Sequence, residues 1–168
     1  MVIAGVDPGK TGAVALITGD RLPRVLTIRD MPVAGGKVDP AGFAALCEDM
    51  IQLAGLDILW VVEQQSIRPM QQGAAKTMEG YGVLLGCLSA LRQAVVVVTP
   101  AKWKSGTPGL GVGADKNASR ALAARRFPAV ARDLARVKDD GRAEAVLIGL
   151  WRWSPAGGSS TQPEVPWA

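Results

Sequence analysis

The chain has no histidine among its 168 residues and only two cysteines, Cys47 and Cys87. The lack of histidine excludes imidazole catalysis and histidine-bound zinc, so a bound metal would have to be a hard cation with oxygen ligands. Both cysteines lie in apolar helical patterns, which indicates small buried side chains in a reducing compartment and not a disulfide. No apolar run reaches the length of a membrane span, and no secretory signal is apparent. We therefore expect a soluble, cytoplasmic protein.

The composition is that of one globular domain, since 48% of the residues are hydrophobic. Lysine and arginine total 19 against 15 aspartates and glutamates, a net charge of +4 that favours acidic partners only mildly. The distribution of charge is more informative than the total. A solvated helix face and a nucleic-acid contact both remain open for the eight basic residues clustered in the last third: Lys116, Arg120, Arg125, Arg126, Arg132, Arg136, Lys138 and Arg142.

The hydrophobic pattern predicts an α/β fold. Three short apolar runs at 1–6, 13–17 and 25–28 indicate an antiparallel meander, and further strands are predicted at 58–62 and 95–98. Helices are predicted from Asp39-Pro40, across 71–91, from Asp115 to about Arg126, and from near Asp139. Residues 100–104 are expected to form a short basic turn and 105–114 a mobile glycine-rich loop. The prediction is a mixed five-stranded sheet with helices on both faces, in one domain over 1–153 with a disordered tail at 154–168.

The predicted helix at 71–91 contains glycines at 73, 80, 82 and 86. Each glycine costs helix stability, about 1 kcal/mol relative to alanine. We expect them to permit close approach of another backbone, from either a partner helix or a nucleic-acid strand.

A nucleotide-binding motif is suggested by Gly9-Lys10-Thr11, but its context argues against it. The P-loop pattern requires a glycine where this chain has Ala4, and it must be followed at once by a helix whose N-terminus faces the phosphates. Here an apolar strand follows. The phosphate hairpin of actin-like proteins and sugar kinases also fits between two strands, but that class needs a much longer, duplicated domain. We therefore expect no nucleotide cofactor.

Two carboxylates follow buried strands. Asp7 ends the first strand and Glu63 ends the fourth, where burial penalises an ionised group unless positive charge pairs with it. Each could be a structural cap or ion pair. If the two strands adjoin, the two acids lie side by side, and a divalent cation between them would relieve their repulsion.

A third group of acids opens the last predicted helix. Glu144 precedes a stretch of apolar residues, and Asp140 is its i−4 neighbour on the same face. Asp139 would reach the same point only from the turn before the helix. The helix dipole by itself favours acids here, so a plain helix start is the alternative to a binding site.

Together these acids resemble the oxygen-rich sites that hold paired magnesium or manganese ions. In such sites one ion activates water while the other stabilises the leaving oxygen of a phosphodiester. A cluster of acids repels DNA, so basic residues elsewhere must hold the polyanion, and Lys102, Lys104 and the basic cluster could do so.

The chain is similar to the ribonuclease-H-like superfamily, and within it to the RuvC-type Holliday-junction resolvases. The similarity is greatest to the plant chloroplast resolvases and their bacterial and phage relatives. It extends over about 2–151, and the matching segments are 5–13, 62–64, 80–86, 100–104, 115–116 and 138–145.

The resemblance implies a magnesium-dependent homodimer, encoded by a bacterium or phage, that cuts branched DNA symmetrically. It assigns metal ligation to Asp7, Glu63, Asp139 and Glu144. The plant proteins have histidine where this chain has Asp140, and RuvC spaces its two late acids by three residues, so the choice between Asp139 and Asp140 stays open. The residues expected to contact DNA are Lys10, Gln65, Arg68, Gln71, Lys102, Lys104, Lys116, Arg120, Lys138 and Arg142.

Two other functions are compatible with this sequence. One is a related nuclease that cleaves RNA–DNA hybrids or acts like a transposase, and the other is a DNA-binding module that has lost catalysis. The full set of acids argues against the second, and the glycine-rich helix after Glu63 argues against the first.

Overall fold

The computed structural model describes residues 2–19, 21–55, 57–67, 70, 72–111 and 113–154. Residues 155–168, most of the predicted tail, lie outside the described residues, as do the DNA-contact candidates Arg68 and Gln71. No helix in the described ranges is long and apolar enough to cross a membrane.

One mixed sheet consists of five strands, β1 (Val2–Asp7), β2 (Ala13–Thr18), β3 (Arg24–Asp30), β6 (Ile58–Glu63) and β7 (Ala94–Val98). Their order in the sheet is β3-β2-β1-β6-β7. The meander is confirmed, because β1 pairs antiparallel with β2, which pairs antiparallel with β3. β1 and β6 are parallel neighbours with Val6 opposite Val62, and β7 continues the parallel half.

A small hairpin was not predicted. It consists of β4 (Val33–Ala34) and β5 (Lys37–Val38), which pair antiparallel as a separate two-stranded sheet. The strands are so short that no alternating pattern could reveal them. Their tight turn uses Gly35 and Gly36, both with positive φ, which glycine adopts readily.

Among the residues that the structure describes, five α-helices complete the fold: α1 (Pro40–Ala54), α2 (Ala74–Ala90), α3 (Pro100–Gly106), α4 (Lys116–Arg126) and α5 (Asp140–Trp153). Asp39 and Asp115 cap α1 and α4 through their side chains, as the sequence predicts. The expected basic turn at 100–104 is wrong, because this segment is helical. Thr99 accepts a hydrogen bond from the Lys102 backbone N–H, and Pro100 occupies the first position, so the helix has both a cap and a preset φ. Two 3-10 segments, Pro128–Leu134 and Val137–Asp139, join α4 to α5.

The sheet separates two apolar cores. Alternate residues of β1 and β6 face opposite sides, so Val6 and Trp60 pack with α1 and α2, whereas Ile3 and Val61 pack with α4 and α5. Asp7 and Glu63 have the same parity as Ile3 and Val61. Both acids therefore lie on the side of the sheet that α5 covers.

Close backbone approach occurs at α5 and not along α2. A Cβ on Gly5 would lie 2.1 Å from the Ala145 carbonyl oxygen, and one on Gly141 would lie 2.3 Å from the Thr11 carbonyl oxygen. By contrast, a Cβ on Gly82 would have no atom within 4 Å in the described structure. Gly82 and Gly86 thus do not serve packing within the described chain, whereas a Cβ on Gly80 would lie 3.1 Å from Val38 Cγ2. The glycines that bring α5 onto β1 were not identified from sequence.

Candidate active site

Three acids from three elements meet at the carboxyl edge of the sheet. Asp7 and Glu63 end the adjacent parallel strands β1 and β6, as predicted. α5 starts at this edge, because Gly141 lies against Asp7 at its beginning and Gly149 lies against Gly5 further along. Glu144, one turn into α5, is buried.

The Asp7 carboxyl has a pKa raised to about 6. Burial is the main cause, followed by the negative charge of Glu144. The backbone N–H of Gly9 donates to Asp7 Oδ1 at 3.3 Å, and the nearby lysines Lys116 and Lys104 also favour the ionised form. An ionised Asp7 is therefore costly, although several groups partly offset the cost.

The Glu63 carboxyl also has a raised pKa, of about 7. Burial again dominates, and the charges of Asp7 and Glu144 add to it. The opposing effect is a hydrogen bond of 2.6 Å from Trp103 Nε1 to Glu63 Oε2. Trp103 is completely buried in α3, so this bond fixes the orientation of the carboxylate.

Lys104 reaches the third acid. Its ammonium donates to Glu144 Oε1 at 2.9 Å, and it lies 5.1 Å from the centre of the Trp103 ring. Neighbouring residues of α3 thus contact two acids from different elements, one through an indole and one through an ammonium. In the part of the chain that the structure describes, no three acidic or cysteine side chains are grouped tightly enough to hold a metal ion as they lie.

Asp140 and Asp139 differ sharply in their surroundings. Asp140 is one turn before Glu144 on α5, and its carboxylate lies 3.6 Å from Lys116 Nζ and 3.0 Å from Arg120 Nε. Arg120 Nε and Asp140 Oδ1 are both buried but lie outside hydrogen-bond geometry. Lys116 also acts on the pKa of Asp7, so Asp140 and Asp7 share a basic neighbour.

Asp139 belongs to a different cluster. Its carboxylate accepts hydrogen bonds from the Arg136 guanidinium, at 2.8 Å to Oδ1, and from the Arg136 backbone N–H, at 2.8 Å to Oδ2. These bonds hold the pKa of Asp139 below its usual range. The same cluster contains Asp30, which accepts two hydrogen bonds from Arg142. Asp30 is opposite Ala13, which is opposite Asp7, so Asp30 lies two strand spacings, roughly 10 Å, from Asp7.

The basic residues predicted to contact DNA fall into two groups. Lys104, Arg120 and Arg142 are partly buried and pair with carboxylates of the chain itself. Gln65 is partly exposed, and four lysines are exposed: Lys10, Lys102, Lys138 and Lys116, the last of which also lies 3.6 Å from the Asp140 carboxylate.

Trp103 was missed by the sequence reasoning. In the sequence it lies between Lys102 and Lys104, within the predicted basic turn, which is also one of the segments that carry the family resemblance. A tryptophan in a sequence is usually a core residue, so its presence alone does not indicate a contact with a catalytic acid. Its contact with Glu63, which is 40 residues away, could be found only from the tertiary structure.

Solved structures of similar fold cover almost the whole chain. Thermus thermophilus RuvC in complex with a Holliday junction substrate aligns with a TM-score of 0.71 and 19% identity, over 97% of this chain and 99% of that one. A second T. thermophilus RuvC structure gives 0.63 and 18%, over 91% and 95%. The yeast mitochondrial Holliday junction resolvase Ydc2 gives 0.57 and 13%, over 94% and 80%.

No family model matches this sequence, and no curated protein matches it. At 13–19% identity, the structural likeness establishes the fold. The chain therefore has the ribonuclease-H-like α/β fold of the RuvC-type Holliday junction resolvases.

Proposed function

We propose that this protein is a magnesium-dependent DNA endonuclease that resolves four-way junctions by paired symmetric nicks. One observation carries the proposal: Asp7, Glu63 and Glu144 converge from separate elements at a site where burial and mutual repulsion raise the pKa of the first two. Burying like charges together destabilises the folded protein, and such arrangements cluster at functional sites. The likeness to RuvC, solved with a Holliday junction, indicates the substrate class.

The donor set suits a hard divalent cation. Its ligands would be carboxylate oxygens, and a cation would remove the repulsion that raises the pKa of Asp7 and Glu63. Magnesium, or manganese in its place, would activate water and stabilise the leaving oxygen of the phosphodiester. We assign its ligands to Asp7, Glu63, Glu144 and Asp140.

Asp140 is a better fourth ligand than Asp139. It is on the same face of α5 as Glu144 and shares Lys116 with Asp7. Both aspartates pair with an arginine, but the Asp139 carboxylate accepts hydrogen bonds from Arg136, whereas the Asp140–Arg120 pair lies outside hydrogen-bond geometry. The role of Asp139 is then to fix the turn that leads into α5.

The surrounding residues orient the acids. Trp103 Nε1 holds one oxygen of Glu63, and the Gly9 N–H holds one oxygen of Asp7. Lys104 neutralises Glu144 and must release it when a cation takes its place. Because the chain has no histidine, proton transfer during hydrolysis falls to carboxylates and lysines.

Junction binding requires positive charge around this acidic site. Lys102, Lys116 and Lys138 are exposed and can approach phosphates. The family resemblance implies a homodimer, in which each subunit would cut one strand. Sedimentation of the free protein tests this directly: a monomer that still makes paired nicks would contradict the dimer.

The decisive experiment compares substrates. The protein and a Glu63→Gln variant are incubated with Mg²⁺ on a labelled four-way junction, a linear duplex and an RNA–DNA hybrid. Glu48→Gln, which removes an exposed acid on α1, is the matched control. We expect paired symmetric nicks in the junction from the wild type and the control, and none from Glu63→Gln.

Other outcomes identify the alternatives. Preference for the hybrid would indicate a ribonuclease H. Equal cutting of all three substrates would contradict junction selectivity. Junction binding without cleavage by the wild type would indicate a non-catalytic DNA-binding module.

A further inference from the structure

A groove of about 400 Å³ borders the loop at residues 8–11, on the side of this loop that faces away from the acidic site. Its walls are residues 8–11 after β1, residues 36–38 of the β4–β5 hairpin, and the first turns of α2. Gln65, two residues after Glu63, also lines it. We propose that this basic groove holds the DNA backbone next to the scissile phosphate, an inference that rests on the proposed nuclease function.

The charge of the groove fits a polyanion. Lys10, Lys37 and Lys76 come from its three separate walls, and all three are exposed. None of the described residues that line it is acidic. Lys37 contacts Glu79 at 2.8 Å, but both side chains are half-exposed, and such surface pairs are weak. Three lysines around one concave surface would attract phosphates while the nearby acids repel them.

The surface also allows a backbone to come close. Thr11 supplies a hydroxyl group, and Gly36 and Gly73 each have no atom within 4 Å of where a Cβ would lie. The groove volume is within the range of specific ligand pockets. Lysines, hydroxyls and small residues are the groups that contact phosphate and sugar without reading sequence.

The position of the groove gives the path of the strand. Asp7 and Glu63 face the α5 side of the sheet, whereas Val38 and Gly80 of the groove are on the α2 side. Residues 8–11 form the ridge between them. A DNA strand crossing this ridge would place one phosphate at the acids and the adjacent phosphates in the groove. This path also explains the P-loop-like Gly9-Lys10-Thr11, which contacts phosphate without a helix behind it.

The test measures the salt dependence of junction binding without divalent metal, so that cleavage plays no part. Each lost phosphate contact lowers the slope of log K against log salt by about 0.9, which weakens binding about eightfold near 0.1 M salt. We expect this change in slope for the single variant Lys76→Gln. The double variant, which combines Lys10→Gln and Lys76→Gln, should change the slope by about twice as much. The matched control is Arg24→Gln, an exposed cation at the opposite end of the sheet, which should keep the wild-type slope.

Fluorescence anisotropy of a labelled junction between about 50 and about 200 mM salt gives the slopes. Thermal melting checks that each variant is folded. A wild-type slope for Lys76→Gln, or an equal loss for Arg24→Gln, would overturn the groove proposal. The nuclease proposal fails separately, if the wild type shows the expected slopes but does not cut the junction with Mg²⁺.

A second arm distinguishes free nucleotide from DNA. ATP binding to the wild type is measured by calorimetry, with Lys76→Gln for comparison. We expect no ATP binding that depends on Lys76. If Lys76→Gln abolished ATP binding but left the junction slope unchanged, the groove would be a nucleotide site and the DNA assignment would be wrong.

Discussion

Replacing Glu63 with glutamine should stabilise the metal-free protein while abolishing cleavage. The Glu63 carboxyl has its pKa raised from 4.5 to about 7, mainly by burial, with added repulsion from Asp7 and Glu144. Glutamine has nearly the same shape and can still accept the hydrogen bond from Trp103. The substitution therefore removes the charge and keeps the packing.

The size and sign of the effect follow from the pKa. The folded protein holds the Glu63 proton more tightly than the unfolded chain does. The stability that this proton contributes to the wild type is therefore complete below about pH 4.5 and is lost as the pH rises through about 7. A rise from 4.5 to about 7, at about 1.36 kcal/mol per unit, amounts to ~3 kcal/mol. Most of this, about 2 to 3 kcal/mol, is lost between about pH 5 and about pH 8.

Thermal melting in EDTA at these two pH values measures the difference. For a chain of this size, 1 kcal/mol shifts the melting temperature by about 2–4 °C. The melting temperature of Glu63→Gln minus that of the wild type should therefore increase by about 5–10 °C from pH 5 to pH 8. The control Glu48→Gln, on the surface of α1, should show no such growth. Adding Mg²⁺ should stabilise the wild type and narrow the gap. An advantage that is equal at both pH values, or a loss of stability at pH 8, would refute the reasoning.

Three further substitutions test the surroundings of the site. Gly141→Ala would place a Cβ 2.3 Å from the Thr11 carbonyl oxygen, so we expect a loss of about 1–3 kcal/mol in denaturant unfolding together with loss of cleavage. Trp103→Phe removes the hydrogen bond that lowers the pKa of Glu63, so the acid limb of the cleavage pH profile should move to higher pH, and an unchanged profile would contradict this role. Gly82→Ala adds a methyl group to an exposed helical site with no atom within 4 Å, so the protein should gain about 1 kcal/mol and a melting temperature higher by about 2–4 °C.

The predicted adjacency of β1 and β6 is the inference on which the site depends. The continuous apolar run at 58–62 predicts a central strand, and β1 lies at the edge of the meander, where it pairs with β6. The confirmed pairing of Val6 with Val62 puts Asp7 and Glu63 side by side. Their roles as metal ligands stay a prediction, which the cleavage and melting experiments test.

The helix at 100–106 shows where local pattern failed. A segment that begins with proline and contains two lysines has the composition of a turn, and seven residues are too few for a helical apolar stripe to appear. The cap at Thr99 and the burial of Trp103 against the α5 side of the sheet stabilise the helix instead. Most helical stability in proteins comes from such packing.

The sequence alone determined the five strands of the main sheet, the longer helices and the acids at the strand ends, because alternation, helical periodicity and capping are encoded within a few neighbouring residues. Only the tertiary structure decided which acids meet. In the tertiary structure Asp140 forms an ion pair with Lys116 and Asp139 forms one with Arg136, although the two aspartates are adjacent in the chain. The reason is geometric: at the start of a helix, successive side chains diverge by about 100°. Which of them faces the site depends on how α5 packs against β1, and that contact is made by residues more than 100 positions apart.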